Sequence, residues 1–153
     1  MANLSLEEFE NYDVSKLTDD EIKQLIRDFY KSNKSITSWN LNNWDVSNVK
    51  DMNSMFYRCE SLQSLNISNW NVSSVKDMNN IFCDCKSLRS LDVSNWNVSN
   101  VKDMSCMFNN CNELQSLDVS NWNVSHVNDM SCVFYDCYKL NLITCTLESS
   151  ASL

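Results

Sequence analysis

Leu88-Arg-Ser-Leu91-Asp-Val93-Ser-Asn-Trp96-Asn-Val98-Ser-Asn-Val101-Lys-Asp103-Met104-Ser-Cys-Met107-Phe108-Asn-Asn-Cys111 is the cleanest copy of a unit that recurs every 26 residues. Trp44, Trp70, Trp96 and Trp122 fall in one column. Phe56, Phe82, Phe108 and Phe134 fall in a second, and Cys59, Cys85, Cys111 and Cys137 in a third. One register thus governs roughly residues 36 to 139. Self-similarity at a period between ~20 and ~50 residues marks a stacked-repeat architecture, in which each unit buries its apolar face against its neighbours.

Two periodicities share the unit. Leu91 and Val93 alternate as one face of a strand does. Met104, Met107, Phe108 and Cys111 follow at i, i+3, i+4, i+7, the spacing of one face of a short helix. Trp96, Val98 and Val101 sit between them, where an extended arm would point inward. The expected fold is therefore α/β, with one strand and one short helix per unit. Asp51, Asp77, Asp103 and Asp129 stand just before the helical stretch. A carboxylate there can accept from the free N–H groups of a first helical turn, so N-capping accounts for residue type and position. A metal-binding column of aspartates is the sharper alternative.

The run Met78-Asn-Asn-Ile81-Phe82-Cys-Asp-Cys85-Lys-Ser-Leu88-Arg-Ser-Leu91-Asp-Val93-Ser-Asn-Trp96-Asn-Val98-Ser-Asn-Val101-Lys-Asp103-Met104 resembles the units of BspA-like leucine-rich-repeat surface proteins. The likeness covers about two thirds of the chain. It implies a leucine-rich-repeat solenoid, and protein or host-surface binding, adhesion included, as its function. Many members of that family are cell-surface or secreted.

The two ends break the register. Residues 1–35 read as an N-terminal capping segment: Thr18-Asp-Asp-Glu21 followed by Ile22, Leu25, Ile26 and Phe29 signals a capped amphipathic helix. Asp20, Lys23 and Arg27 would form its polar face, shielding the first unit from water. The stretch Tyr12-Asp13-Val14-Ser15-Lys-Leu17 imitates Trp44-Asp45-Val46-Ser47-Asn-Val49, as a degenerate first unit would. Residues 36–146 hold four units plus a fifth strand marked by Leu140, Ile143 and Cys145, and residues 147–153 form a tail. The edge of the fifth strand is expected to be uncapped, which exposes it to self-association.

The chain has 153 residues, a net charge of −8 and neither Gly nor Pro, so its turns must fall to Asn and Ser. No basic stripe stands out, which disfavours nucleic acid and anionic membranes as partners. No run of ~18 apolar residues suggests a transmembrane helix. The N-terminus lacks the basic and apolar regions of a signal peptide. The default compartment is therefore cytoplasmic, at odds with the exported members of the resembled family.

Eight cysteines invite a thiol or metal-binding reading. The column Cys59, Cys85, Cys111, Cys137 is more simply a buried, reduced file of small hydrophobes. Cys106 and Cys132 occupy a second column and form the candidate disulfide. No C-x-x-C spacing of a zinc ribbon occurs, and no metal or other cofactor is expected. His126 is the sole histidine and has no partner at a catalytic spacing. No enzyme is expected.

The surface left for work is the strand face. Its candidate binding residues are Gln63, Arg89 and Gln115 in one column, Asn66, Asp92 and Asp118 in a second, and Ser68, Ser94 and Ser120 in a third. Such a strip is flat and polar, suited to a protein segment or a glycan. The favoured expectation is a non-enzymatic protein-interaction module. A cysteine-based thiol or metal protein and a purely structural repeat fragment are the alternatives.

Overall fold

The fold is given by a computed structural model that describes residues 3–144. Two helices open the chain, α1 (Leu6–Glu10) and α2 (Asp19–Ser32). Both begin with a capping box. The Ser5 hydroxyl accepts from the Glu8 N–H at 3.1 Å, and the Glu8 carboxylate accepts from the Ser5 N–H at 2.7 Å. Thr18 and Glu21 do the same at 3.2 and 2.8 Å. These reciprocal bonds satisfy donors that a helix start otherwise leaves unpaired. α2 buries Ile22, Leu25, Ile26 and Phe29. Phe29 stacks on Phe9 of α1 at 3.8 Å, and Trp39 meets both rings edge-on at 5.0 and 5.8 Å.

Lys23 departs from its expected place on the polar face of α2. It is buried, with Nζ 3.1 Å from Asp51 Oδ1. The helix lies across the end of the repeats, so its covered face is wider than an apolar stripe predicts.

Beyond α2 the expected leucine-rich-repeat solenoid, with one strand and one short helix per 26-residue unit, is overturned. Among the described residues no helix follows Ser32. Strand structure is confined to four three-residue pieces, β1 (Ser38–Asn40), β2 (Ser64–Asn66), β3 (Ser116–Asp118) and β4 (Leu142–Thr144). They form two parallel two-stranded sheets, β1–β2 and β3–β4. Between them Ser90 makes a single bridge to Ser64, and a second file of parallel bridges joins Asp51, Asp77, Asp103 and Asp129 in turn. Turns and loops make up most of the remainder.

The segment read as a helix is a pair of four-residue turns. Met55 N–H donates to Met52 O at 3.1 Å, and Cys59 N–H to Phe56 O at 3.1 Å. The third residue of each turn has positive φ, 58° at Ser54 and 61° at Arg58. Asn80, Asp84, Cys106, Asn110, Cys132 and Asp136 repeat that conformation in the later units. A left-handed residue at every fourth position cannot propagate a right-handed helix. Two such turns place residues 52, 55, 56 and 59 on one side, which is the spacing of a helix face.

The N–H groups of alternate residues cross to the next unit instead. Met52, Ser54, Phe56 and Arg58 donate to Asp77, Asn79, Ile81 and Cys83 at 2.9 to 3.0 Å. Met78, Asn80, Phe82 and Asp84, then Met104, Cys106, Phe108 and Asn110, repeat the pattern. Asp51, Asp77, Asp103 and Asp129 therefore do not cap helices. Each accepts from the N–H two residues on, Asn53, Asn79, Ser105 and Ser131, at 2.7 to 2.9 Å, and so closes a local Asx turn.

The inward columns are as the register requires. Leu41, Trp44, Val46, Val49, Met52, Met55, Phe56, Cys59, Leu62 and Leu65 are buried, and their equivalents continue the same core to Leu117. Neighbouring phenylalanine rings stack at 5.4 to 5.7 Å from Phe56 to Phe134. Three tryptophans of the column donate Nε1 29 residues back, Trp70 to Leu41 O at 2.8 Å, Trp96 to Ile67 O at 3.2 Å and Trp122 to Val93 O at 3.0 Å, while Trp44 donates to Phe9 O at 3.0 Å. From Val119 on the burial loosens: Trp122, Val124, Val127, Met130, Phe134 and Leu140 are only partly covered. Cys145 and the tail at 147–153 lie outside the described residues.

Candidate interaction surface

Consecutive units place their extended segments side by side. Gln63 N–H donates to Thr37 O at 2.7 Å, Arg89 N–H to Gln63 O at 3.1 Å and Gln115 N–H to Arg89 O at 3.4 Å. The three side chains therefore stand one strand step apart, about 4.8 Å. Arg89 and Gln115 are exposed and Gln63 is half-buried. Asn66, Asp92 and Asp118 are exposed in the next column, with Ser68, Ser94 and Ser120 half-buried two positions on.

Those two columns are tied to each other. Asp92 Oδ1 accepts from the N–H of Ser94 at 3.0 Å and its hydroxyl at 2.7 Å. Asp118 holds Ser120 in the same way at 3.0 and 2.6 Å, and Asn66 holds Ser68 at 3.4 and 3.0 Å. The Ser120 hydroxyl and N–H hold the Asp118 carboxyl below its usual range, which favours its charged form. The strip alternates cation, amide and carboxylate on a locally fixed backbone. It can recognise polar groups.

The cysteines divide in two. Cys85 donates its thiol to Phe56 O at 3.2 Å, Cys111 to Phe82 O at 3.2 Å and Cys137 to Phe108 O at 3.0 Å. Burial pushes the Cys59 thiol up to about 12 and raises Cys85 and Cys111 as well. Such thiols are poor nucleophiles and poor metal ligands. Cys83 is buried too, and its thiol is pushed up to about 11 by burial and by Asp84. Cys106 and Cys132 are both free, half-buried and exposed respectively, and burial, followed by the nearby Cys132, raises the Cys106 thiol. Among the described residues no three His, Cys, Asp or Glu side chains gather as a metal site requires.

Charge counting on the whole chain hides one feature. Lys50, Lys76 and Lys102 form a column of their own, all exposed. Lys76 N–H donates to Lys50 O and Lys102 N–H to Lys76 O, both at 2.8 Å. The signal was legible as a lysine recurring with the repeat, but it is diluted by a net charge of −8. His126 is exposed and, with Ser99, Asn100, Lys102, Ser125 and Asn128, lines a shallow depression of about 470 Å³ beside that column.

No described helix is long and apolar enough to cross a membrane. No curated protein matches the chain. A family profile matches residues 2–90 and again 23–145, overlapping as a repeated unit would. The chain belongs to the family described as Mycoplasma protein of unknown function, DUF285.

Proposed function

We propose that this chain is a non-enzymatic interaction module, of the BspA-like surface kind, which contacts a protein partner through Gln63, Arg89, Gln115 and the adjoining Asn66, Asp92 and Asp118 column. The observation that supports it is the one-step alignment of Gln63, Arg89 and Gln115 through backbone bonds of 3.1 and 3.4 Å. A row fixed by its own backbone loses little entropy when a partner binds. The resemblance in the repeat motif supports the surface and adhesion part of this reading.

The test starts with a photoreactive residue at Gln115, which captures a partner for identification by mass spectrometry. Binding of that protein is then measured to the wild type and to the Arg89→Ala, Asp92→Ala, Asp118→Ala triple variant. Binding should fall at least tenfold. Unchanged binding by a folded triple variant overturns the assignment. Metal analysis and thiol titration of the same preparation separate this reading from a thiol or metal protein.

Self-association through the last unit belongs to the same proposal. Its partly covered apolar residues lie beside Tyr135 and Tyr138, which are 62% and 76% exposed. Sedimentation of the wild type should depend on concentration, and sedimentation of Tyr135→Glu, Tyr138→Glu should not.

A further inference from the structure

We infer that the Lys50–Lys76–Lys102 column is a binding ridge for a linear polyanion, and that an acidic polysaccharide carrying sulfate or carboxylate groups is the ligand class that fits it. The inference is independent of the strand face proposed above. The three lysines are held by consecutive backbone bonds of 2.8 Å, so their stems leave the chain about 4.8 Å apart. None of the three has an ion-pair partner among the described residues. The lysines that do are Lys23, Lys86 and Lys139, all outside this column.

Like charges at this spacing repel one another, and an external anion relieves that repulsion. The neighbouring aspartates of the repeats keep their charge, but among the described residues none forms an ion pair with these lysines. Asp51, Asp77 and Asp103 each use Oδ1 to close their own turn, and Asp51 also faces Lys23.

The ridge extends past the lysines at both ends. Asp19 Oδ2, at the first residue of α2, accepts from the N–H groups of Lys50 and Asp51 at 3.2 and 3.0 Å, so the chain entering α2 runs alongside the first unit. That brings exposed Lys16 into the neighbouring column, which continues through Asn48, Ser74 and Asn100 to His126. Asp13 lies near Lys16, and Asp45 near Asp13, so that end is partly neutralised. In the later units the position of Asp45 is taken by Asn71, Asn97 and Asn123. The stretch from Lys76 to the depression at Lys102 and His126 therefore lacks that carboxylate column. At a physiological screening length of about 8 Å, a ligand on this ridge is largely shielded from the acidic remainder of the surface.

The flanking chemistry separates glycan from nucleic acid. Ser47, Ser73, Ser99, Asn48, Ser74 and Asn100 border the lysines. They offer hydroxyl and amide groups that match sugar hydroxyls. Single-stranded nucleic acid is held by aromatic side chains on which bases stack. Among the described residues no aromatic side chain borders the ridge, and the exposed tyrosines, Tyr57, Tyr135 and Tyr138, belong to the turn segments.

The experiment uses the full chain and heparin as the probe. Isothermal titration at physiological salt compares the wild type with Lys50→Gln, Lys76→Gln, Lys102→Gln. A control triple, Lys31→Gln, Lys86→Gln, Lys139→Gln, removes the same charge elsewhere, and circular dichroism checks that both fold. The ridge variant should bind heparin at least tenfold more weakly, and the control within about twofold of wild type, since contacts with the ligand's charges rather than total charge set the affinity. The Arg89, Asp92, Asp118 triple variant should keep wild-type heparin affinity, so failure of one proposal does not entail failure of the other. Equal loss in both lysine triples, no heparin binding by the wild type, or displacement of heparin by single-stranded DNA at equal charge would each overturn the inference.

Discussion

The thiol of Cys85 donates to the carbonyl oxygen of Phe56, 29 residues earlier, at 3.2 Å. Cys111 and Cys137 repeat the bond to Phe82 and Phe108. Each file of sulfur thus stitches one unit to the unit before it, and the bond exists only while the thiol keeps its proton.

Alkaline stability follows from that proton. Burial raises Cys85 well above its ordinary value of 9.0 and pushes Cys59 up to about 12. Above pH 9.0 the unfolded chain loses these protons while the folded chain holds them, so stability is intact below 9.0 and falls as pH climbs towards the folded value. Each such thiol adds up to about 1.4 kcal/mol of loss per pH unit in that window. Urea melts at about pH 8 and about pH 10 should show the fall, and Cys85→Ala should make the difference smaller. An identical pH slope in that variant would show that Cys85 is not part of the effect.

The tryptophan file gives a paired comparison. Trp96 and Trp39 are each 1% exposed, but Trp96 donates to Ile67 O whereas Trp39 Nε1 has no acceptor among the described residues. Trp96→Phe removes the indole bond to Ile67 O, which keeps its bond from the Trp70 N–H at 3.1 Å, whereas Trp39→Phe removes no bond and takes away a buried donor without an acceptor. Both lose similar volume, so Trp96→Phe should cost about 1–2 kcal/mol more in denaturant unfolding. Equal costs would mean that the indole bond contributes nothing net.

The positive-φ turns lack the residue best suited to them. Arg58 has φ 61° in a chain with no glycine. Arg58→Gly should unfold about 1 kcal/mol later than Arg58→Ala, because both lose the exposed ion pair to Asp84 and only glycine relieves the left-handed backbone. Tyr57→Gly, one residue earlier in the same turn, should destabilise. Calorimetric melting of the three variants decides it.

What the sequence disclosed here was set by period. The columns of Trp44, Phe56 and Cys59 announced their burial, because a repeat that must bury a face does so at the same position each time. The helix did not follow from Met104, Met107, Phe108 and Cys111, since two four-residue turns give the same spacing. The residues that distinguish the two are Ser54, Arg58, Cys106 and their equivalents, and none is a glycine that would flag positive φ. Lys23 looked solvated because its partner, Asp51, is 28 positions away and in a different element. On the surface, the Asp92 and Asp118 columns were legible as register positions. Their hydrogen bonds to Ser94 and Ser120 were not.

The Lys23–Asp51 contact is asymmetric. The lysine side chain is 8% exposed and the aspartate 49%. Removing the carboxylate leaves a buried ammonium unpaired, while removing the ammonium leaves a carboxylate that water can reach. Asp51→Asn, which can still accept from the Asn53 N–H, should destabilise by about 1–3 kcal/mol, and Lys23→Met should be close to neutral. The order of the two melting midpoints is the measurement, and the reverse order would contradict it.

The last prediction concerns Cys106 and Cys132, whose backbones are adjacent, Cys106 N–H donating to Ser131 O at 2.8 Å, with Cys132 close enough to raise the Cys106 thiol. Neighbouring strand positions about 4.8 Å apart fall inside the roughly 4.4–6.8 Å Cα range that a disulfide spans. With oxidised glutathione as the oxidant, one thiolate attacks the glutathione disulfide and releases one glutathione thiol. The second protein thiolate then displaces the other glutathione and closes the Cys106–Cys132 bond. The bond would close a loop across the least buried unit and restrict its unfolded state, adding roughly 3 kcal/mol if native geometry is undisturbed. Peptide mapping after oxidation should find Cys106 joined to Cys132, and Cys132→Ser should remove both the linked peptide and the rise in melting temperature. Linkage of Cys106 to Cys83 instead, or a stable mixed disulfide with glutathione, would show that the two side chains cannot reach bonding geometry.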